Sequence, residues 1–559
     1  MNNSVNAKFA LGVSCIVCAA PVVLALIVII VTLILARRKK WDGVWVARTL
    51  ATGFCSFAAF SGVTLAMLSG FEVIPPELAL ILWSLLWVAA VFLCLPLTTA
   101  AWRTLLEPTN ISRVVRAYCA ASLDSMHSKK CFFHSASVFG YTVAWVVVLA
   151  SYGICYCSHP FELTSWLSRR QDPVYCFSNT MCHQYVLLGS NASRYRVVSH
   201  VVTDLGSPLS TSCDVCELRM GDCVGASWSV TGVIRPMNII TEDPRYLSTI
   251  FVGNLTPTKR YLFNVSITLA DGTSIRGQLT LTALPSTGGS TQILSVGGYN
   301  VETSSEHLAP VMTRSDPQVV LWGGDFAFAH NMRRCYRRMD KFCAHSVSLL
   351  RTNQGDAMPI VVLASEVEAG GYLRESNLDG YNFLSYFPQG DDSVATTVNT
   401  FHQHHIGSFL IIVLDSGAVL PGSQQIAYLS DTIHRGIGSG LRVIVAYHNA
   451  VYPAVEDADV GDARSFSNII TSNVTLVLEF HNNAYKRTKP LFRGLVYANG
   501  TVFVGDGGAG VASQCLIAQD SRLAMTRGVG TTLVLTLHHS TLQVQAMIKD
   551  GAVIDSFSL

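Results

Sequence analysis

The sequence predicts a multi-domain chain: a four-helix transmembrane region, then a β-sandwich, then an α/β domain. Three observations predict it. Four long apolar runs without Asp, Glu, Lys or Arg fill much of residues 1–157. Short strands punctuated by turn residues occupy 185–284, and continuous β-branched runs alternate with helical stretches over 286–559. Of 559 residues, 50% are hydrophobic and 14% charged, and mean hydropathy is positive, so a wholly soluble chain is not expected. The 39 basic residues nearly balance the 37 acidic ones, which excludes nucleic acid as an electrostatically favoured partner.

The four runs are residues 9–36, 49–71, 78–102 and 135–157. Each is long enough as a helix to cross about 30 Å of hydrocarbon. The first is too long for the apolar stretch of a secretory signal. Arg37, Arg38, Lys39, Lys40 and Arg48 follow the first run, and Arg103, Arg113, Arg116, Lys129 and Lys130 follow the third, which places both loops in the cytoplasm. Glu72 and Glu77, without a basic residue, mark the opposite side. The expectation is an integral membrane protein with both termini lumenal or extracellular. Transport is a weak reading, because no ionisable Asp, Glu, Lys or Arg interrupts any run.

A connector over 158–184 carries cysteines. Asn-x-Ser/Thr triplets stand at Asn191, Asn254, Asn264, Asn473 and Asn499, the acceptor pattern of secreted surfaces. Cys176, Cys182, Cys213, Cys216 and Cys223 crowd one stretch, and Cys335 lies near Cys343. In an oxidising compartment these are expected to pair, with a connectivity that sequence does not disclose. Cys213-x-x-Cys216 also fits half of a zinc site, but no second pair stands at suitable spacing.

Over 185–284, strands are expected at 195–202, 226–234, 261–269 and 274–282, and "LADGTS" at 269–274 is a hairpin signal. The outcome is a sandwich of immunoglobulin or fibronectin type III character. After the Gly- and Ser-rich linker at 285–290, runs at 319–321, 360–363, 409–414, 443–446 and 474–478 read as buried strands, and 424–435 as a helix. In such folds ligands collect at strand C-terminal ends, so the residues following these runs carry the chemistry. "FHQHH" at 401–405 reads as a solvated loop. Arg333, Arg334, Arg337 and Arg338 read as a solvated helix face, with attraction of an anionic ligand as the other reading.

At those strand ends the sequence resembles the purple acid phosphatases of the calcineurin-like metallophosphoesterase superfamily. "LWGGDFAFAHN" at 321–331 is similar to the family's GDxxY motif, and "PIVVLASEVEAGG" at 359–371 stands where GNHD/E belongs. "VIVAYHNAVYP" at 443–453 matches VxxH, and "LEFHNNAYKRTKPL" at 478–491 matches GHxHAYxR. "FLIIVLDSGAVLPGSQQIAYL" at 409–429 and "VFVGDGGAG" at 502–510 are close to family wording. The likeness spans some 220 residues in one register, and "VGNLTPTKRYLFNVSI" at 252–267 resembles the fibronectin-like domain that precedes the catalytic domain in plant-type members.

The resemblance implies a two-metal centre that clamps a phosphate ester, and it makes each ligand checkable. Asp325 stands for the metal-bridging carboxylate, His448 for the VxxH histidine and His481 for the first histidine of GHxH. Glu366 is aligned on the GNHD/E asparagine. The rest is replaced. Residues 293–303 hold no DxG aspartate, the GDxxY tyrosine is Phe328, the last GHxH histidine is Asn483, and the proton-donating GNHD/E histidine is Val367. The first three losses fall on one metal position, which is expected to be empty, so a dinuclear centre is not expected. Asp325, Glu366, His448 and His481 are left to hold one divalent ion, Zn, Mn or Fe(II).

Plainer readings stand beside these. Asp325 also fits a helix cap, and His448 and His481 also fit satisfied core histidines. Two functions follow: a membrane-anchored pseudo-phosphatase that binds a phosphorylated small molecule or protein, or an active acid phosphatase acting on exposed phosphate esters.

Overall fold

The computed structural model describes residues 175–559 apart from 238–243, 287–288, 299–303, 328–335, 348, 366–367, 369–380, 391–399, 417–422, 453–463, 471–472, 507 and 511–519. The four apolar runs lie outside the described residues. The expected integral membrane placement is corrected: among the described residues no helix is long and apolar enough to cross a membrane. The longest described helix, Ser423–Gly438, has 16 residues, which gives roughly 24 Å of helix against about 30 Å of hydrocarbon.

Two sheets form the α/β part. In one, Ser290–Val296, Val319–Trp322 and Ile360–Val362 run parallel, with Val320 opposite both Leu294 and Ile360. Antiparallel strands Thr532–His538, Thr541–Met547 and Val553–Ser558 extend its edge. In the other, Phe409–Val413, Arg442–Tyr447, Val474–Glu479 and Val502–Gly505 run parallel, and Tyr485–Thr488 and Leu523–Arg527 close one side. Leu321, Val361, Ile411, Ile444, Ala446, Leu478 and Leu533, drawn from both sheets, share one core. The second sheet turns its other face, Ile412, Val443, Val445 and Val477, to Leu429 and Ile433 of the helix Ser423–Gly438. Burial on both faces is why these strands read as unbroken apolar runs. The helix ends where Leu441 N–H reaches the Gly436 carbonyl and Gly440 N–H the Ile437 carbonyl, both at 2.9 Å. This Schellman stop needs the positive φ of 74° at Gly440.

The preceding strands make two layers. Thr180–Leu188, Tyr195–Val202, Arg245–Val252 and Val233–Pro236 form one, and Asp222–Thr231, Pro208–Arg219, Arg260–Leu269 and Ser274–Thr282 the other. The first layer does not end at the linker. Leu187 pairs in parallel with Ile360, which makes one 10-stranded sheet running from Val553–Ser558 to Val233–Pro236. The core follows, since Val197, Val215, Ile250 and Phe263 join the same buried cluster as Val319 and Leu321.

Two local expectations change. Residues 402–406 are a strand rather than a solvated loop, paired with Phe409–Val413 through a turn at Gly407. His402 and His404 alternate inward with Ile406, and His404 Nδ1 lies 2.8 Å from the Gly189 carbonyl. Cys213 and Cys216 do not bond each other. Cys216 sits at an irregularity between Val215 and Glu217 and forms a disulfide with Cys223. Cys176 pairs with Cys182, while Cys213 and Cys343 are buried free thiols. Of the triplet asparagines, Asn254, Asn473 and Asn499 are exposed, and Asn191 and Asn264 half-buried.

Candidate metal centre

Asp325 follows the strand Val319–Trp322 across Gly323 and Gly324. Both glycines are sterically required. A side chain on Gly323 would run into the Phe480 ring, and one on Gly324 would start 2.6 Å from His448 Nδ1. Gly324 (φ 90°) and Asp325 (φ 57°) then turn the carboxylate inward, a backbone cost of order 1–3 kcal/mol for the non-glycine residue. Glu368 holds that turn. Its Oε1 accepts the N–H groups of Phe326 and Ala327 and its Oε2 that of Asp325, all at 3.0 Å, and the Ser365 hydroxyl donates to Oε2 as well.

His448 follows the strand Arg442–Tyr447 and is fully buried. With its Nδ1–H donated to the Gly323 carbonyl at 2.7 Å, its Nε2 presents a lone pair. That atom lies 3.2 Å from Asp325 Oδ1 and 3.1 Å from His481 Nδ1. His481 (φ 70°) follows the strand Val474–Glu479, and the two histidine loops are tied by the Phe480 N–H on the His448 carbonyl. Beneath them Glu479 accepts from the Tyr447 hydroxyl at 2.7 Å, from Val451 N–H at 2.8 Å and from the Lys486 ammonium, which also reaches the Tyr452 carbonyl. Burial pulls the Lys486 pKa down against the opposing pull of Glu479.

The structure therefore brings Asp325, His448 and His481 together, their ligand atoms all within 4.8 Å of one another. Their chemistry fits a cation. Asp325 Oδ1 is buried and has no hydrogen-bond partner, a costly state unless an ion meets it. Ligands about 2.1 Å from one ion stand about 3.0–3.4 Å apart, which the 3.1 and 3.2 Å separations match. The Gly323 carbonyl behind His448 is the outer support that metal-bound imidazoles use. Glu366, Val367 and Phe328 lie outside the described residues.

The companion position is not a void. Gly297 follows the strand Ser290–Val296, where the resemblance leaves an aspartate missing, and Asp506 faces it from the end of Val502–Gly505. A side chain started on Gly297 would stand 2.9 and 3.1 Å from the two Asp506 oxygens, and Gly297 N–H donates to Oδ2. Asn483 (φ 46°) fills the space beside Gly298 and Gly508. Burial pushes the Asp506 carboxyl up to about 7 against the N–H groups of Gly297 and Gly508. The likeness of 502–510 to family wording does not by itself assign this aspartate a role. Its signal was an acidic residue directly after a buried apolar run, the same signal that marks Asp325.

No family model and no curated protein sequence matches this chain. Solved structures do. A purple acid phosphatase from yellow lupin (Lupinus luteus) seeds matches at a TM-score of 0.56 and 16% identity, over 68% of this chain and 74% of its own. PhoD matches at 0.47 and 10% identity, over 69% and 90%, and a dimetal phosphatase from Danio rerio at 0.31 and 11%, over 48% and 98%. The chain has a purple acid phosphatase-like metallophosphoesterase fold. At these identities the likeness establishes fold, and the ligand set rests on the side chains themselves.

Proposed function

We propose that this fold holds one divalent ion, Zn, Mn or Fe(II), on Asp325, His448 and His481, and uses it to bind a phosphorylated small molecule or protein, with phosphoester hydrolysis lost or severely weakened. Residues 185–284 act as a fibronectin type III-like sandwich, one layer of which continues into the sheet of the metallophosphoesterase part at 286–559. The observation that carries the reading is the meeting of one unpartnered carboxylate oxygen with two imidazole nitrogens. When bound, the ion would polarise a phosphoryl oxygen and acidify a bound water. The chain's own residues do the rest: Gly323 fixes the His448 tautomer, Glu368 holds Asp325, and Lys486 with Glu479 locks both histidine loops. Impairment follows from chemistry. Valine at 367 cannot pass a proton to a leaving group, and Asn483 replaces an imidazole.

One observation favours a second reading, an active phosphoesterase: Asp506 offers a carboxyl that changes protonation near neutral pH in the same region of the fold. Turnover of p-nitrophenyl phosphate by the purified full chain, with His448→Ala as control, separates the two. The first reading expects no difference between wild type and control, and robust turnover that the control abolishes overturns it.

A further inference from the structure

A second group of metal-ligating side chains shares no residue with the Asp325 centre. Cys176, Cys182 and His183 each offer one ligand atom within 4.8 Å of the others. In a regular strand Cys182 and His183 would point to opposite faces. The ladder between Thr180–Leu188 and Tyr195–Val202 is irregular at this point: Met181 faces Val201 and His183 faces His200, which leaves Cys182 as the additional residue of a bulge. Bulges re-aim side chains, and this one lets two consecutive residues serve one site. Cys176 and His183 are buried, and His183 Nε2 lies 3.5 Å from Cys176 Sγ and 3.2 Å from Asp340 Oδ1. Asp340 is buried too. Arg245 reaches both of its oxygens at 2.8 Å and the Tyr386 hydroxyl donates to Oδ1 at 2.7 Å, so the carboxylate is fixed beside His183 before any ion arrives.

We propose that Cys176, Cys182 and His183 form a zinc site when their disulfide is reduced, with the Asp340 carboxylate beside His183 as its outer support. Zn–S bonds of about 2.3 Å with a Zn–N bond near 2.1 Å place neighbouring ligands roughly 3.3–3.7 Å apart, and the 3.5 Å between His183 Nε2 and Cys176 Sγ lies in that range. Two thiolates and an imidazole select zinc over the hard cations. The chemistry balances. A dithiol delivers two electrons and two protons to the S–S bond, which breaks into two thiols while the dithiol closes to its own disulfide. Zn2+ then displaces one proton from each sulfur, and the His183 tautomer with its proton on Nδ1 leaves Nε2 free for the ion. The thiolates neutralise the ion and Arg245 continues to balance Asp340, so the segment at 176–182 stays clasped in either redox state.

The test uses the full chain, reduced with dithiothreitol, desalted without oxygen and loaded with Zn2+ or Co2+. The expected result is one more metal equivalent than in unreduced protein, with thiolate-to-cobalt charge-transfer absorption. That equivalent is lost in Cys182→Ser, weakened at least tenfold in His183→Gln, and retained in the Cys216→Ser/Cys223→Ser double variant and in His448→Ala. In wild type, Zn2+ should also protect Cys176 and Cys182 from alkylation as mapped by mass spectrometry, a readout that survives any variant's failure to fold. No additional equivalent, a gain that persists in Cys182→Ser, or alkylation indifferent to Zn2+ each overturns the proposal.

Discussion

Removing the Glu368 carboxylate tests whether the Asp325 turn is held from behind. Glu368 is fully buried, and its two oxygens take three backbone N–H groups and one hydroxyl. Glu368→Ala leaves the amides of Phe326 and Ala327 without an acceptor and that of Asp325 with only the Ser365 hydroxyl at 3.3 Å. An unsatisfied buried donor costs about 1–3 kcal/mol, and water entering the space left behind recovers part of that. A net loss of about 3–5 kcal/mol is expected. With a urea dependence of about 3 kcal/mol/M, the unfolding midpoint falls by about 1–1.7 M at unchanged slope. Glu368→Gln keeps the shape but sets an NH2 group against one of those donors, and it should lose about half as much. Because the turn carries a metal ligand, affinity for a divalent ion should also fall about 10–100-fold, as for other outer-shell changes. Circular dichroism against urea and metal titration measure the two effects. A Glu368→Ala protein with wild-type midpoint and affinity would refute the assignment.

Asp506 should make the metal-free fold less stable as pH rises. Its folded pKa, about 7, is above the unfolded value of about 3.9, so its contribution is fully present below pH about 4 and is lost as pH rises through about 7. Asp506→Asn, measured by urea unfolding in chelator at pH 5 and pH 8, should remove up to about 2.5 kcal/mol of that difference. An unchanged difference would show that the carboxyl is not protonated in the fold. Lys486→Met alone should cost about 3–5 kcal/mol because it strands the buried Glu479 charge, and adding Glu479→Gln should restore much of it. Equal losses in the single and double variants would contradict the pairing.

Much of the fold was legible because burial on both faces writes itself as apolar runs. The expected strands at 195–202 and 274–282 coincide with the observed ones, and the helix expected at 424–435 is the core of Ser423–Gly438. Asp325, His448 and His481 stood out because each lies just past such a run in a segment that resembles a family motif, and the fold brings the three together. What failed was tertiary. The 402–406 strand looked solvated because histidine is polar, and nothing local shows that Gly189 comes from another strand to accept from His404. The Leu187–Ile360 pairing joins segments across a linker whose composition signals only a break. Asp506 follows an apolar run as Asp325 does, but its role stayed hidden because the partner that defines it, Gly297, is notable for a side chain it lacks.

The central claim is that three side chains surround one ion. Metal analysis of the full chain, kept unreduced and loaded with Zn2+ or Mn2+, together with X-ray absorption at the metal edge, tests it most directly. The account predicts one ion per chain with nitrogen and oxygen neighbours near 2.1 Å, two of them imidazoles, and none in His448→Ala. Two ions per chain, or an ion that survives the loss of His448 and His481 together, would contradict it.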